Sequence, residues 1–355
     1  MKTILHSTIA VLLLAMSTTA FAADETLLRR ATDLPDISLV GQFVGSISNG
    51  IPNDSTDTLG IREVEMSFQG YLYPSIRADV FMSLEKKDTG EFAAHVEEAY
   101  VSFMDLGNGF GAKVGQKLAP IGKLNATHSE TWAFVNRPAV LKNFGGEDGL
   151  KGQGASLDYV FPFTVFVQAE IGAWRAVSKP VLEVGVETPF ALSNHFYTAK
   201  LTTSLPLSDQ SEWELGISGA TGSGPNYTVA ADSTKLLGLH TVYRQWFDAY
   251  AKLQLQAEWF QLSRTQNGTG INRNGAYLYA GYQWDKYWSV GFLYNISDSG
   301  EQTNTLTKNY NLILTNKLTE TTKIRAQYTY NPNEKTNEVW AQLIFGLGPH
   351  SHVLQ

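Results

Sequence analysis

The sequence predicts an all-β fold, a transmembrane antiparallel up-and-down barrel of about sixteen strands, with fourteen to eighteen as the range. Three observations carry this: two-sided strands recur through most of the chain, short and long connections alternate, and the N-terminus reads as an export signal. The clearest strand holds Lys252, Gln254, Gln256 and Glu258, which alternate with Ala251, Leu253, Leu255, Ala257 and Trp259. A strand has period two, so one face of this stretch is polar and the other apolar. A closed sheet with a wet interior and an apolar exterior satisfies such strands within a bilayer.

Residues 1–22 form the expected signal peptide. Met1-Lys2 supplies the positive start, Ile9 to Met16 the apolar stretch, and Ala20-Phe21-Ala22 the small-x-small cleavage site. The mature chain, 23–355, is then the barrel, opened by a short polar periplasmic lead-in at 23–35. The pattern places strands at 36–47, 59–73, 75–86, 94–105, 110–118, 151–161, 163–175 and 195–206. Eight more follow at 211–222, 235–245, 250–263, 275–284, 287–296, 306–317, 322–331 and 337–346.

Tight connections at Tyr73-Pro74-Ser75, 106–109, Phe161-Pro162-Phe163, 206–210, 284–287 and 318–321 alternate with longer ones at 48–58, 119–150, 176–194, 223–234, 264–274 and 297–305. In outer-membrane barrels the short turns are periplasmic and the long loops extracellular. An even strand number keeps both termini on one side. Val181 to Thr188 is a further strand candidate.

Aromatic residues gather where strands meet turns, with Trp246, Phe247 and Tyr250 at one and Trp284, Tyr287 and Trp288 at another. Trp and Tyr favour the headgroup level of a membrane, and a soluble sandwich would bury such rings instead. The last strand ends on the apolar row Val339, Ala341, Leu343 and Phe345, which looks like an assembly signal, although 346–355 trail beyond it.

The chain has no cysteine, which removes disulfides and thiolate chemistry. Loss of Lys2 with the signal leaves 26 basic residues against 34 acidic ones, a formal charge of −8, which argues against nucleic-acid binding. The alternation assigns to the lumen Glu63, Glu65, Arg77, Asp79, Glu98, Lys113, Lys117, Lys252, Glu258, Lys317, Lys323, Arg325 and Glu338. Both signs are present, and neighbouring strands suggest that Glu98 faces Lys113 and Arg325 faces Glu338. Most of these charges need do no more than hydrate the interior; a subset is expected to set ion preference.

The connection 119–150 is the third extracellular one and is too long for a plain hairpin. Its Trp132, Phe134 and Val135 need an apolar partner. Folding into the barrel supplies one and narrows the lumen; packing over the rim is the alternative. The constriction candidates are Lys123, Asn125, His128, Glu130, Arg137 and Lys142, with Arg137 expected to weigh more on ion preference than Lys317.

Around this loop lie Gln116 to Leu124, Asn125-x-x-His128, Trp132-x-Phe134-Val135-x-Arg137-Pro138 and Gly146-Glu147-Asp148-Gly149. Together with Glu97 to Val101, Leu215 to Gly219 and Gly348-Pro349-His350, they resemble Gram-negative porins of the phosphate-selective porin O and P group. Some members of that group are labelled zinc-regulated or TonB-dependent. The resemblance implies an outer-membrane diffusion channel for small hydrophilic solutes or ions, in contact with outer-membrane lipid and without a cofactor, for which a homotrimer is one candidate assembly. The TonB-dependent label does not suit a chain whose residues 23–35 are too few for a plug. Phosphate selectivity calls for a run of lumen cations, and here acids are interspersed.

Two rival readings follow from the histidines. A metal-handling barrel would use His128 or His350-x-His352, but these lie at opposite ends, and Glu130 stands where the resemblance leads one to expect a second loop histidine. No metal site is therefore assigned. An enzyme would use His95, His128, His195 or His240, none of which has a nucleophile and an orienting acid at a telling spacing; no catalytic residue is assigned.

Overall fold

The computed structural model describes residues 35–49, 58–86, 91–146, 148–177, 192, 195–223, 233–266, 269–300 and 304–349. The first eight strands are β1 (Asp36–Ser48), β2 (Thr58–Tyr73), β3 (Ile76–Lys86), β4 (Phe92–Phe103), β5 (Phe110–Leu118), β6 (Lys151–Val160), β7 (Phe166–Ala176) and β8 (His195–Ser208). The others are β9 (Ser211–Ser223), β10 (Ser233–Trp246), β11 (Lys252–Gln266), β12 (Thr269–Gln283), β13 (Trp288–Asp298), β14 (Leu306–Lys317), β15 (Thr322–Asn331) and β16 (Thr336–Leu347).

Each strand pairs antiparallel with its sequence neighbours, and β1 closes on β16, with Leu39 opposite Leu347 and Ser48 opposite Glu338. Closure leaves no strand edge unpaired, which is the condition for placing a sheet in lipid. Sixteen is thus the strand number among the described residues. The further candidate at 181–188 and the signal at 1–22 lie outside them.

Burial runs opposite to that of a soluble protein. On β15, Lys323, Arg325, Gln327 and Thr329 are buried while Ile324, Tyr328 and Tyr330 are exposed. Period two therefore points polar groups inward and apolar groups outward, as expected. Phe247, Tyr250, Trp284, Tyr287 and Trp288 are exposed at the end that carries the tight turns, where a headgroup girdle belongs.

Two expectations need correction. The long connection 264–274 is mostly strand: β11 reaches Gln266 and β12 begins at Thr269, the two residues facing each other. Here the outward face is polar, with Ser263 bonded to Asn272 at 2.8 Å, so the apolar half of the alternation is missing and the stretch reads as a loop. The two cross-strand ion pairs are also wrong. Arg325 stands opposite Gln342, and Glu338 opposite Thr329. Four residues of strand, about 13 Å, separate the supposed partners along the wall. Lys113 stands opposite Ser102 and lies over the Tyr100 ring at 5.6 Å, away from Glu98. Alternation gives the face of a residue, whereas the register decides which residue it meets.

Among the described residues the register shifts at four places, beside tight turns at Tyr71/Tyr73 and Pro206/Ser208 and at two β-bulges further along the wall. Gln42 pairs with Glu63 but Phe43 pairs with Ile61, so Arg62 is the extra residue in β2. Likewise Phe81 pairs with Glu98 and Met82 with Val96, leaving Glu97 extra in β4. A bulge lets two successive side chains take one face. Both doublets, Arg62-Glu63 and Glu97-Glu98, thus turn inward, as their bonding partners below show.

Candidate functional site

The interior of the barrel is occupied by 119–150. Its ends meet where Ala119 N–H donates to Leu150 O at 2.8 Å. Between them run two 3₁₀ turns, Leu124–Ala126 and Ser129–Thr131, and a short helix α1, Ala139–Gly145. Pro138, with φ −56°, precedes the helix, and Gly146, with φ 85°, ends it. Pro is suited to a helix start and Gly to the left-handed exit.

An apolar cluster fastens one side of the loop. Trp132, Phe134, Val140, Leu141 and Phe144 are buried against wall residues that include Phe260, Leu262, Tyr277, Tyr279 and Leu293. Phe134 meets the rings of Tyr277 and Tyr279 edge-on, with centroids 6.3 and 5.8 Å away. These wall residues continue the inward rows of β11 to β13. The lumen is therefore apolar where the loop packs and polar elsewhere.

Polar groups fasten the rest. Glu258 on β11 accepts the N–H groups of Lys123 and Leu124 at 2.7 and 2.9 Å and the Tyr277 hydroxyl at 2.5 Å. Bonds to a carboxylate in a low-dielectric interior are worth about 1.5–3 kcal/mol each. Gly122 makes this approach feasible. Its φ is +60°, and a Cβ there would collide with the Glu258 carboxylate. Arg325 donates to the carbonyls of Trp132 and Phe134 at 2.7 and 3.0 Å and to Gln342 at 2.8 Å. Lys323 donates to Glu130 O, Gln327 accepts from Val135 N, and Arg62 donates to Val135 O, each at 2.7 or 2.8 Å. The loop is thus bonded to lumen-facing residues of β2, β11 and β15.

His128 makes the most charged of these contacts. Its Nδ1 lies 2.7 Å from a Glu65 oxygen and its Nε2 2.8 Å from a Glu98 oxygen, while Phe81 covers the ring at 4.9 Å. With Glu65 and Glu98 both ionised, and so only accepting, both ring nitrogens donate and the group is an imidazolium. Glu98 also accepts the Leu118 N–H at 2.6 Å. Glu130 is buried nearby, and Glu65, His128 and Glu130 each bring a ligand-type atom within 4.8 Å of the others. The glutamate at the expected second-histidine position therefore lies beside His128.

The remaining loop candidates divide by side. Asn125 is buried and binds the two ends of the loop together. Arg137 donates to Asn125 and lies over Trp132 at 5.5 Å. Arg137 and the exposed Lys142 line a cavity of about 710 Å³ at the end with the long connections. Lys123 reaches the opposite end and pairs with Glu214 at 2.8 Å.

Of the wall candidates, Glu63 accepts from Gln42 and Ser129, and Glu338 accepts from Asn331 and Trp340. Lys117 pairs with Glu170 at 3.4 Å and Arg77 with Asp79 at 2.8 Å. Lys252 and Lys317 line a cavity of about 110 Å³ at the tight-turn end. Sequence reading missed Arg62, Glu97, Lys200, Glu214 and Arg244. Lys200 donates to Gly122 O at 2.7 Å, Arg244 pairs with Glu212, and Glu97 pairs with Lys151. The doublets Arg62-Glu63 and Glu97-Glu98 did hold a signal. Strict alternation would send one charge of each into lipid, at a cost of about 2–4 kcal/mol for a basic residue at mid-membrane, and a bulge avoids it.

Comparison with known proteins agrees with this architecture. The family model described as phosphate-selective porin O and P matches residues 40–291. The chain belongs to that family. An uncharacterized protein of Aquifex aeolicus (strain VF5) is 28% identical over 303 residues, covering 74% of this chain and 63% of the relative. The chain thus spans less than two thirds of that relative's length.

Among solved structures, an anion-selective porin from Comamonas acidovorans superimposes with a TM-score of 0.58 at 15% identity, covering 89% of this chain and 99% of that one. A loop-deletion form of OmpT of Vibrio cholerae has a TM-score of 0.58 at 11% identity, with 89% and 100% covered. OmpF of Salmonella typhi, in complex with daunomycin, has 0.57 at 11%, with 88% and 98% covered. At such identities the likeness is one of fold. Family and fold together place this porin-family barrel in the outer membrane.

Proposed function

We propose that this barrel is a passive channel for small hydrophilic solutes and ions, a porin and not an enzyme. In this reading 119–150 is the third extracellular loop and narrows the lumen. The supporting observation is the set of bonds that tie the loop backbone to inward residues of β2, β11 and β15. A loop so held occupies the path of any solute. Single-channel recording in planar bilayers tests the reading, with 120–149 replaced by a short Gly-Ser linker in a second protein. The replacement should raise conductance; an assembled barrel with unchanged conductance would reject the constriction.

Anions are the preferred ions in this proposal. The tight-turn cavity is lined by Lys123, Arg244, Lys252, Lys317 and Arg325, with no carboxylate among the described residues that line it. Lys123 and Arg244 are paired with Glu214 and Glu212, so Lys252, Lys317 and Arg325, whose bonding partners are neutral, contribute most of its positive field. The family description and the anion-selective Comamonas porin favour the same sign. Phosphate itself requires more, since the opposite cavity mixes Arg62 and Arg137 with Glu63, Glu97 and Glu338.

A second reading, metal handling, draws on the proximity of Glu65, His128 and Glu130. A cation there would have to displace the proton that bridges His128 and Glu65. Zinc titration of the conductance tests it, and an unaltered current at saturating zinc would reject it. The trimer form of the Vibrio cholerae OmpT neighbour favours cross-linking as the first assay of assembly, with a homotrimer as the state to look for.

A further inference from the structure

On the outer face of β7 to β10 three polar side chains stand among apolar ones. Arg175, His195 and Lys235 are exposed, in step with the outward residues Ile171, Tyr197 and Leu237 of the same strands. Arg175 and His195 are Cα partners across β7 and β8, and Lys235 lies opposite Thr221 on β9 and Ser263 on β11. Among the described residues none of the three has an ion-pair or side-chain hydrogen-bond partner. The carboxylates of β6 to β9 are turned away from them. Asp158, Glu170, Glu212 and Glu214 bond to Gln168, Lys117, Arg244 and Lys123 on the inward face.

Lys235 is eleven residues along β10 from Trp246 at the tight-turn end. That is about 36 Å of strand, or roughly 28 Å of height at the usual tilt. The apolar band of such a barrel is about 25 Å tall, so these groups stand at the headgroup level on the side of the long connections. Tyr197, opposite Thr221, is exposed beside them, as suits that level. The tight turns on the same flank carry the exposed acids Asp209 and Asp248 instead.

Nearer the middle of the wall the outer face is hollow. A cavity of about 850 Å³ is lined by Leu201, Ile217, Leu239, Ala257, Ala276 and Leu278, among others. Leu239 is four residues from Lys235, about 13 Å along β10. The outward residues between the two levels include Ala199 and Gly219, Cα partners of each other. A Cβ at Gly219 would meet only the Leu236 carbonyl oxygen within 4 Å, at 3.5 Å.

We infer that this face binds one lipid of the outward leaflet that carries two phosphates, one held by Arg175 and His195 and the other by Lys235, with acyl chains in the hollow. The inference goes beyond the channel reading and does not depend on it. Arg and Lys without an acid beside them select an anion, and Arg suits the fork of phosphate oxygens. Three strand steps, about 14 Å, separate Arg175 from Lys235, so a lipid with a single phosphate engages one end only. General lipid contact around a barrel calls for no such groups; the charge and the hollow together define a site.

The test is native mass spectrometry of the assembled mature protein, freed of lipid in detergent and titrated with bis-phosphorylated lipid A. One molecule should bind per barrel. Arg175→Gln combined with Lys235→Gln should weaken binding at least about tenfold, because each surface cation adds to the attraction of an anionic lipid. Either single change should act in the same direction, which keeps the test decisive should the pair fail to assemble. Gly219→Phe fills the approach to the hollow without altering charge and should weaken binding also; equal affinity there would reject the hollow as the seat of the chains. Unaltered affinity in the charge variants would overturn the site. Equal binding of phosphatidylethanolamine, with one phosphate and no net charge, would overturn it too, as would competition by inorganic phosphate, which would mark a site for the free anion. Single-channel conductance of all variants should equal that of the parent, since these residues face away from the lumen, so failure of this site and failure of the channel reading are told apart.

Discussion

Asn125 and Leu150 are joined by two hydrogen bonds that run in opposite directions. The Asn125 amide donates to Leu150 O at 3.0 Å, and Leu150 N–H donates to the Asn125 carbonyl oxygen at 3.0 Å. The same amide also donates to Ala119 O and accepts from Arg137, each at 2.9 Å. One buried side chain therefore closes both ends of the inward loop and orients its arginine. Asn125→Asp keeps the shape but removes the donor, so Ala119 O and Leu150 O each lose one hydrogen bond while keeping a backbone N–H, at about 0.5–1.5 kcal/mol each. The barrel should still assemble, while 119–150 becomes sensitive to protease added to liposomes that hold the protein. Resistance equal to the parent protein would refute this role.

His128 holds Glu65 and Glu98 apart by donating to both. In His128→Ala two buried carboxylates face one void with no cation between them. Removing one member of such a buried group costs about 3–5 kcal/mol. The temperature at which the gel-shifted form unfolds should fall clearly, and the added changes Glu65→Gln and Glu98→Gln should restore part of it. An unchanged unfolding temperature in the single variant would show that the contact contributes nothing.

The strands were legible because each carries two opposed environments, and period two survives wherever lipid is on one side. The hairpin at Gln266 and Thr269 was not, since its outward face is polar and its inward one mixes Arg264 with Leu262 and Ile271. Arg62 and Glu97 escaped for another reason, as a bulge moves a residue to the wrong face by strict counting. The loop candidates were found by residue type, yet their division between two cavities was not. Whether Lys123 faces one end and Arg137 the other depends on Gly122 approaching Glu258, a contact between residues far apart in sequence.

Sidedness follows from the positions of the turns. Asn333 lies in the connection between β15 and β16, and Asn304 in that between β13 and β14, on the same end as 119–150. Asn108 lies in the tight turn between β4 and β5, with φ 52°. The chain has no cysteine of its own, so a single introduced thiol reports without background. Asn304→Cys and Asn333→Cys should label on intact cells with an impermeant maleimide, and Asn108→Cys only after lysis. The reverse pattern would invert the barrel in the membrane and move 119–150 to the periplasmic side.

Charge reversal within the lumen ranks the cations. Sequence alone favoured Arg137 over Lys317, but their surroundings reverse the order. Arg137 is bonded to Asn125, stacked on Trp132, and shares its cavity with Glu63, Glu97 and Glu338. Lys317 and Lys252 line a cavity with no carboxylate among the described residues of its lining. The field of a charge falls with distance and with the opposite charges around it, so an added Glu alters an all-cation cavity more than a mixed one. Lys317→Glu should shift the reversal potential in a salt gradient towards cations, Lys252→Glu likewise, and Arg137→Glu less than either. A larger shift from Arg137→Glu would place the selecting field at the long-connection end, and the paired acids there would then be screened more than their positions imply.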